Sequence, residues 1–363
     1  MRRPVAPGAP VVVKVGSSSL ARPGGGLDTV ALDRVIGQVA DSWTGGHPTV
    51  LVSSGAVAAG LTALGRSSRP TDIPGLQVAA AVGQSRLMER YTVGFERRGL
   101  VAGQVLLTKN VLADRDQYLH ARQALDRMLS ERIVPVVNEN DTVAIEELRL
   151  GDNDRLAALV SHLVGAGLLV LLTDTTGLFS AEPGAPGAEL LDAVRHTDRV
   201  LDLIGAGRSG PLGSGGVATK VAAARMAAWS GVPTVVAAAS EERVVERAMS
   251  GEPVGTWVDP QPGRLPARKL WIAFGQPAVG TVTIDDGAVD AIVRRGRSLL
   301  AVGVRTVSGT FDAGDAVEVL DERGSPVAKG IVRVSSALLQ LDRPSERSRE
   351  LIHRDDLVVL VAS

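Results

Sequence analysis

The feature that most constrains the fold is a regular alternation of short apolar runs with helical patterns over the first two-thirds of the chain. VVVKV (residues 11–15) and TVLV (49–52) are short, β-branched runs of the kind found in buried strands. Between such runs, apolar residues recur at helical spacing, as in residues 155–163 and 221–229. Strands that alternate with helices form a parallel sheet covered on both faces. We therefore predict an α/β fold, a three-layer α/β/α sandwich with a mostly parallel sheet.

The pattern changes near residue 255. Pro260, Pro262 and Pro266 fall within a few residues of one another, which is typical of a linker. Short alternating segments such as VGTVTI and DAVEVL follow, joined by turns, and they indicate a small β-rich domain. We predict a first domain over residues 1–256, a linker over 257–268 and a second domain over 269–363.

Composition excludes several classes of protein. The 363 residues include no cysteine, so disulfides, thiolate catalysis and cysteine-bound metals are excluded, and a reducing cytoplasm is expected. A formal net charge of −1 gives no reason to expect a nucleic-acid or membrane surface over the whole molecule. The longest apolar stretch, residues 163–172, is well short of the roughly 20 residues of a membrane-spanning helix. It fits a helix end, a glycine turn and a buried strand.

The glycine-rich stretch GSGGVATK, residues 213–220, has three possible interpretations. It is not a Walker loop, because Lys220 follows a threonine and not a glycine. It matches the dinucleotide fingerprint only loosely and does not follow the first strand. The third interpretation is a glycine turn that only caps a helix. Glycines let backbone N–H groups approach an anion, and a lysine in the first helical turn adds positive charge. The stretch alone leaves these alternatives open.

Polar side chains follow several predicted strands at the point where each strand ends. In open α/β sheets ligands gather at the carboxyl ends of strands, so these side chains are candidates for one site. Each also has a plain alternative: a lysine can extend to the surface, and serine, aspartate or asparagine can cap a helix. The candidates are Lys14, the Ser53-Ser54-Gly55 turn, the cluster Asn138 to Asp141, and Thr173 with Asp174, joined by the cluster Asp152 to Asp154, which precedes an apolar helix.

Taken together and in this order, the motifs resemble the amino acid kinase superfamily, and within it the glutamate 5-kinase family of proline biosynthesis. The resemblance covers nearly the whole chain, and the region from about Leu270 is similar to a PUA domain. The segments that carry it are VVKVGSSSL, SSGAVAAG, AAVGQSRL, GQVLLT, IVPVVNENDTVA, GDNDRLAALV, LLTDTTGL and GSGGVATK, followed by GQPAVGTVTIDDGAVDAI and RGRSLLAVGV.

The resemblance implies transfer of the γ-phosphoryl group of ATP to the side-chain carboxylate of L-glutamate. A carboxylate with a pKa of about 4.3 is already ionised at neutral pH, so no general base is required. Catalysis then depends on positioning and on positive charge. By resemblance, Lys14 and Lys220 flank the phosphoryl group, Asp154 holds the two lysines, and Gly16 and Gly55 offer backbone N–H groups to phosphate.

The resemblance also implies the binding residues. Mg²⁺ is expected to bridge the ATP phosphates, with no metal site formed by protein side chains alone. Val217 and Ala218 stand where many family members have methionine and then serine or threonine. The glutamate pocket is predicted to contain Ser54, Gly55, Asn138, Asp141 and Asn153, and the ATP site Lys14, Thr173, Asp174, Ser214, Gly215, Gly216, Val217, Ala218, Thr219 and Lys220.

Two alternative functions remain at this point. Other members of the superfamily phosphorylate aspartate, uridylate, carbamate or isopentenyl phosphate. A PUA domain also occurs in RNA-modifying enzymes, but residues 269–363 carry nearly equal numbers of acidic and basic side chains, which argues against RNA as the main ligand. The resemblance further implies feedback binding of proline, transfer of the labile product to glutamyl phosphate reductase, and a homo-oligomer.

Overall fold

A computed structural model of the chain describes residues 2–22, 26–108, 111, 114–143, 153–205, 216–339 and 349–360. The chain divides into two compact units, Met1–Arg264 and Leu265–Ser363. No helix in the described ranges combines the length and the apolar character needed to cross a membrane.

The first unit alternates strands and helices, as the apolar pattern predicts. Its strands are β1 (Val11–Val15), β2 (Thr49–Ser53), β3 (Val101–Leu107), β4 (Ile133–Glu139), β5 (Leu168–Thr173), β6 (Ala193–Arg195), β7 (Thr234–Ala238) and β8 (Thr256–Asp259). Its helices are α1 (Ser17–Leu20), α2 (Thr29–Thr44), α3 (Ala56–Ala63), α4 (Ile73–Glu96), α5 (Arg115–Ser130), α6 (Asn153–Leu163), α7 (Arg199–Gly205), α8 (Val217–Trp229) and α9 (Val244–Met249).

The strands form one eight-stranded sheet in the order β3-β4-β2-β1-β5-β7-β8-β6. The pairs from β3 across to β7 are parallel, and β8 runs antiparallel to β7. The prediction of a mostly parallel sheet is therefore confirmed. Every residue of β1, β2 and β5 is buried, as expected for strands covered on both faces. The carboxyl ends of β4, β2, β1 and β5 consequently lie side by side.

The stretch predicted as a linker differs from the structure at its beginning. Residues 257–259 belong to β8, which pairs with β6 and β7. Trp257 and Val258 are buried in this sheet. The first of the prolines, Pro260, comes directly after β8. The prolines therefore end this strand and do not prevent it from forming.

Two glycines bring α3 and α4 into close contact. A Cβ atom on Gly60 would lie 1.8 Å from the backbone oxygen of Ala79, and one on Gly83 would lie 1.7 Å from that of Ala56. Such distances are possible only without a side chain. Because α3 begins directly after β2, this contact holds α4 close to the carboxyl ends of the strands.

The second unit is a small β-rich body, as predicted. Its elements are α10 (Ala267–Leu270), a π-helical turn (Trp271–Gly275), β9 (Gly280–Ile284), α11 (Asp286–Val293), β10 (Leu299–Leu300), β11 (Val304–Gly309), β12 (Ala316–Leu320), β13 (Pro326–Ile331), α12 (Ser336–Leu339), β14 (Glu350–Ile352) and β15 (Leu357–Val359). A five-stranded sheet in the order β11-β9-β12-β13-β15 and a two-stranded sheet of β10 and β14 enclose a core that includes Val282, Phe311 and Val319.

Candidate active site

Two lysines from opposite ends of the first unit's sequence contact one carboxylate. Lys14 lies on β1, Asp154 in the first turn of α6 and Lys220 in the first turn of α8. Nζ of Lys14 lies 2.6 Å from Oδ1 of Asp154, and Nζ of Lys220 lies 3.7 Å from Oδ2. Lys14 and Asp154 are buried, at 3% and 0% exposure. The aspartate therefore fixes the position of both ammonium groups.

Thr219 joins the same carboxylate. Its hydroxyl oxygen lies 2.9 Å from Oδ2 of Asp154 and 2.8 Å from the backbone oxygen of Gly216. This hydroxyl thus ties the beginning of α8 to α6 and orients Lys220, the next residue. The sequence motif predicts Thr219 as a nucleotide-binding residue, and the contact with Asp154 was not foreseen.

Asp154 is held in its charged form. Burial is the largest single influence and raises the pKa of this carboxyl group, but the charges of Lys14 and Lys220, with hydrogen bonds from Lys14 and Thr219, outweigh it. The pKa of Asp154 therefore lies below its ordinary value. A carboxylate that stays ionised at neutral pH can hold cations in place, and it is poorly suited to carrying a proton.

A chain of amide side chains begins next to Asp154. The Nδ2 atom of Asn153 donates to the backbone oxygen of Ser53 at 2.6 Å and lies 3.1 Å from Oγ of Ser54. It also lies 2.7 Å from Oδ1 of Asn138. Because a backbone oxygen can only accept, the orientation of the Asn153 amide is fixed. Ser54, Asn138 and Asn153, all predicted pocket residues, thus lie together.

The amide chain continues from Asn138 to a residue that the sequence reasoning missed. Oδ1 of Asn138 accepts from the backbone N–H of Glu139 at 2.9 Å, and Nδ2 donates to Oε1 of Gln84 at 2.7 Å. Gln84 lies on α4, within the AAVGQSRL segment. That segment is part of the family resemblance, and it was the only signal available for this residue.

A buried hydroxyl pair fastens α4 to the end of β2. Oγ of Ser53 and the phenolic oxygen of Tyr91 are 2.6 Å apart, and both side chains are inaccessible to solvent. Burial raises the pKa of Tyr91, so the phenol remains protonated. Tyr91 lies two helical turns after Gln84, on the same side of α4. One helix therefore contacts both the Ser53-Ser54-Gly55 turn and Asn138.

Glycines provide space beside the lysines and the turn. A Cβ atom on Gly16 would lie 3.5 Å from Nζ of Lys14 and 3.9 Å from the backbone oxygen of Leu172. Gly55 has φ of +105°, a conformation that favours glycine, at the residue before α3. Space without a side chain next to a buried ammonium group fits an anionic ligand.

The other predicted residues lie around this centre. Thr173 and Asp174 lie at the end of β5, next to β1, and the Thr173 hydroxyl donates to Oδ1 of Asp174 at 2.9 Å. In the part of the chain that the structure describes, this pair makes no hydrogen bond to either lysine. Asp141 lies in the turn after β4. Gly216 caps α8, and Val217 and Ala218 are its first residues. Ser214, Gly215 and Asp152 are outside the described residues.

No cluster of three or more metal-ligating histidine, aspartate or glutamate side chains occurs within the described residues. The lysines, hydroxyls and backbone N–H groups that do occur at this site suit an anion.

Comparisons with known proteins match the chain to two family models and to several named relatives. The family described as the amino acid kinase family matches residues 9–238, and the PUA domain matches residues 280–342. The chain is 46% identical to a protein of Marinomonas sp. (strain MWYL1) named glutamate 5-kinase, over 99% of this chain and 100% of that protein. Proteins of the same name from Rhodococcus opacus (strain B4) and Thermobifida fusca (strain YX) are 46% and 45% identical, each over 99% of this chain and over 99% and 95% of their own length.

Proposed function

The chain belongs to the amino acid kinase family, and from this we propose that it transfers the γ-phosphoryl group of ATP to the side-chain carboxylate of L-glutamate. The products are L-glutamyl 5-phosphate and ADP, and the reaction is the first step of proline biosynthesis. The observation that carries the proposal is the placement of Lys14 and Lys220 on the two oxygens of buried Asp154, next to a pocket of amide and hydroxyl groups.

The chemistry requires little proton transfer. A carboxylate oxygen of glutamate forms a bond to the γ-phosphorus of ATP, and the bond from that phosphorus to the ADP oxygen breaks. Because glutamate is ionised at neutral pH, no base has to remove a proton. The main obstacle is the approach of two anions. Lys14 and Lys220 reduce it by placing positive charge beside the transferring oxygens, in positions that Asp154 fixes beforehand.

The described residues fit a triphosphate. The space that Gly16 leaves beside Lys14 suits a phosphate oxygen, and the first turn of α8 presents backbone N–H groups and Lys220. Thr173 and Asp174, at the end of the neighbouring strand, are the proposed nucleotide contacts. Mg²⁺ is proposed to be bound by ATP oxygens and water, where it would neutralise phosphate charge.

The amino-acid pocket is proposed to lie over the ends of β2 and β4. Ser54, Asn138 and Asn153 provide hydroxyl and amide groups for the carboxylates, and Gly55 provides a backbone N–H. Asp141, in the turn after β4, suits the substrate ammonium group by its charge. The roles of these residues rest on the family motif together with their shared position at one edge of the sheet.

Other features of the proposal come from the family alone. We propose residues 1–256, together with the rest of β8, as the catalytic region, and the PUA domain as an accessory domain. A cytoplasmic location is also proposed. Proline is proposed as a feedback ligand, and glutamyl phosphate reductase as the recipient of the labile acyl phosphate. A homo-oligomer is proposed as the active form.

The proposal is tested by ATP consumption with L-glutamate and Mg²⁺, in the presence of hydroxylamine, which converts an acyl phosphate to a stable hydroxamate. We expect hydroxamate and ADP to form in equal amounts with L-glutamate. Aspartate, uridylate, carbamate and isopentenyl phosphate serve as competing acceptors. A clear preference for one of these would contradict the proposal, as would salt-sensitive RNA binding without phosphoryl transfer.

A further inference from the structure

Gln84 lies at the edge of the amide chain, and its side-chain nitrogen is an N–H donor without a partner in the part of the chain that the structure describes. Its Oε1 accepts from Asn138, and its Nε2 is shielded from solvent without a hydrogen-bond partner among the described residues. A buried donor left unpaired destabilises the folded protein, because the group has lost its hydrogen bonds to water. A bound ligand that supplies an acceptor would remove this penalty.

The orientation of the Gln84 amide is determined by the backbone. Glu139 donates its N–H to Oδ1 of Asn138, so the Nδ2 side of Asn138 must face Gln84. Nδ2 can only donate, and Gln84 must therefore present its oxygen to Asn138. The remaining atom, Nε2, is then a donor and cannot be exchanged with the oxygen without breaking the chain of hydrogen bonds.

The register of the sheet places Gln84 at the end of the site opposite the lysines. Lys14 on β1 is paired with Val52 on β2, which is paired with Val137 on β4. Adjacent strands are about 4.8 Å apart, so Asn138, next to Val137, lies about 10 Å across the sheet from the Lys14 position. A glutamate whose side-chain carboxylate reacts beside Lys14 and Lys220 thus has its other end directed toward β4.

We infer that Gln84 is a specificity-determining residue, whose Nε2 donates a hydrogen bond to the α-carboxylate of the amino-acid substrate. The inference rests on the proposed function. An N–H donor suits a carboxylate and not an ammonium group, since the ammonium group offers no acceptor. Asp141, in the turn after the same strand, suits the ammonium group, so both α substituents are recognised at one end of the pocket.

The test replaces the donor with an acceptor of the same shape. In Gln84→Glu, one carboxylate oxygen can still accept from Asn138, and the other faces the substrate carboxylate. We expect the KM for L-glutamate to rise about 10- to 100-fold, with kcat at saturation within about threefold and the KM for ATP unchanged. L-Isoglutamine, which carries an α-carboxamide, can donate to the new carboxylate. The preference for glutamate over L-isoglutamine should therefore fall at least about tenfold.

A matched control is available in Gln38 on α2. It is 9% exposed, its Oε1 accepts from the N–H of Val245 at 3.0 Å, and its Nε2 is likewise buried without a partner among the described residues. Gln38→Glu makes the same chemical change away from the amide chain. It should change thermal stability without changing the KM for glutamate or the preference over L-isoglutamine.

A second variant, Gln84→Met, removes the donor without adding charge. It should raise the KM for glutamate without favouring L-isoglutamine, and an unchanged KM in this variant would overturn the inference. An equal loss for both substrates in Gln84→Glu would also overturn it, because a structural defect does not distinguish them. Absence of glutamate phosphorylation in the wild-type protein would instead refute the proposed function.

Discussion

Replacement of Asp154 by asparagine tests the central arrangement, because the change removes a charge and keeps the shape. Oδ1 of Asp154 lies 2.6 Å from Nζ of Lys14, whose side chain is only 4% exposed. The second carboxylate oxygen, Oδ2, lies near Nζ of Lys220 and the Thr219 hydroxyl. In the asparagine variant this position holds either an NH₂ donor or a neutral oxygen. Asp154→Asn therefore leaves a buried ammonium group without its counter-charge.

The expected magnitude follows from burial. Breaking a buried ion pair by neutralising one partner is unfavourable by about 3–5 kcal/mol, since the remaining charge stays away from water. We therefore expect the free energy of unfolding of the first unit to fall by about this amount. We also expect kcat to fall at least about 10²-fold, as when one group that stabilises transition-state charge is lost.

The pH dependence has a defined sign. The pKa of Asp154 in the folded protein is below its ordinary 3.8, so its stabilising contribution is complete at neutral pH and is lost as the pH falls below about 4. The difference in stability between wild type and Asp154→Asn should be constant from about pH 6 to 8. It should shrink as the pH falls below about 4, because there the unfolded chain binds a proton at this carboxylate before the folded protein does.

Urea unfolding, followed by circular dichroism, measures the stability difference, and the hydroxamate assay measures kcat. Asp192→Asn is the control, because that carboxylate pairs with Arg2 at 2.7 Å but its side chain is 78% exposed. It should change stability by less than about 1 kcal/mol. If Asp154→Asn is as mild as this control in both stability and kcat, the lysines do not depend on Asp154 and the argument from burial is refuted.

Three further predictions concern other parts of the first unit. Lys220→Ala should lower kcat at least about 10²-fold, and near-normal turnover would remove its assigned role. Burial lowers the pKa of His162 to about 4, so the free energy of unfolding should fall by about 3 kcal/mol as the pH falls from 6.5 through 4. Urea unfolding at several pH values should show this loss in the wild type and not in His162→Gln. Gly83→Ala, whose Cβ would meet the Ala56 oxygen at 1.7 Å, should destabilise by about 3 kcal/mol, whereas Gly37→Ala, with its nearest atom at 3.7 Å, should be neutral or stabilising in thermal unfolding.

Much of the first unit could be predicted because its signals are local. The run VVVKV is all buried strand, and the pattern at residues 221–229 lies within α8. Polar residues directly after strands could also be placed at one edge of the sheet, because parallel strands end together. Lys14 and Asn138 are predictable as site residues in this way, and Asp154 is predictable as a polar residue at the beginning of an apolar helix.

The parts that could not be predicted depend on contacts between distant segments. Gln84 lies on a helix, 54 positions before Asn138 in the chain, and still contacts it. In the sequence alone, a glutamine within a helical pattern is indistinguishable from a surface residue. Tyr91 looks like an ordinary core aromatic until its contact with Ser53 is known. The strand β8 was missed because Pro260 and its neighbours are linker signals, whereas burial of Trp257 against the sheet decides its structure.

The close contact of α3 with α4 has a consequence for altering substrate choice. Because Gly60 and Gly83 leave no room for adjustment, α4 cannot shift along α3 without disturbing the turn at Gly55. Laboratory selection for a longer or shorter acceptor acid should therefore accumulate changes on the inward side of this one helix. Variation confined to the surface loops would leave the pocket length as it is.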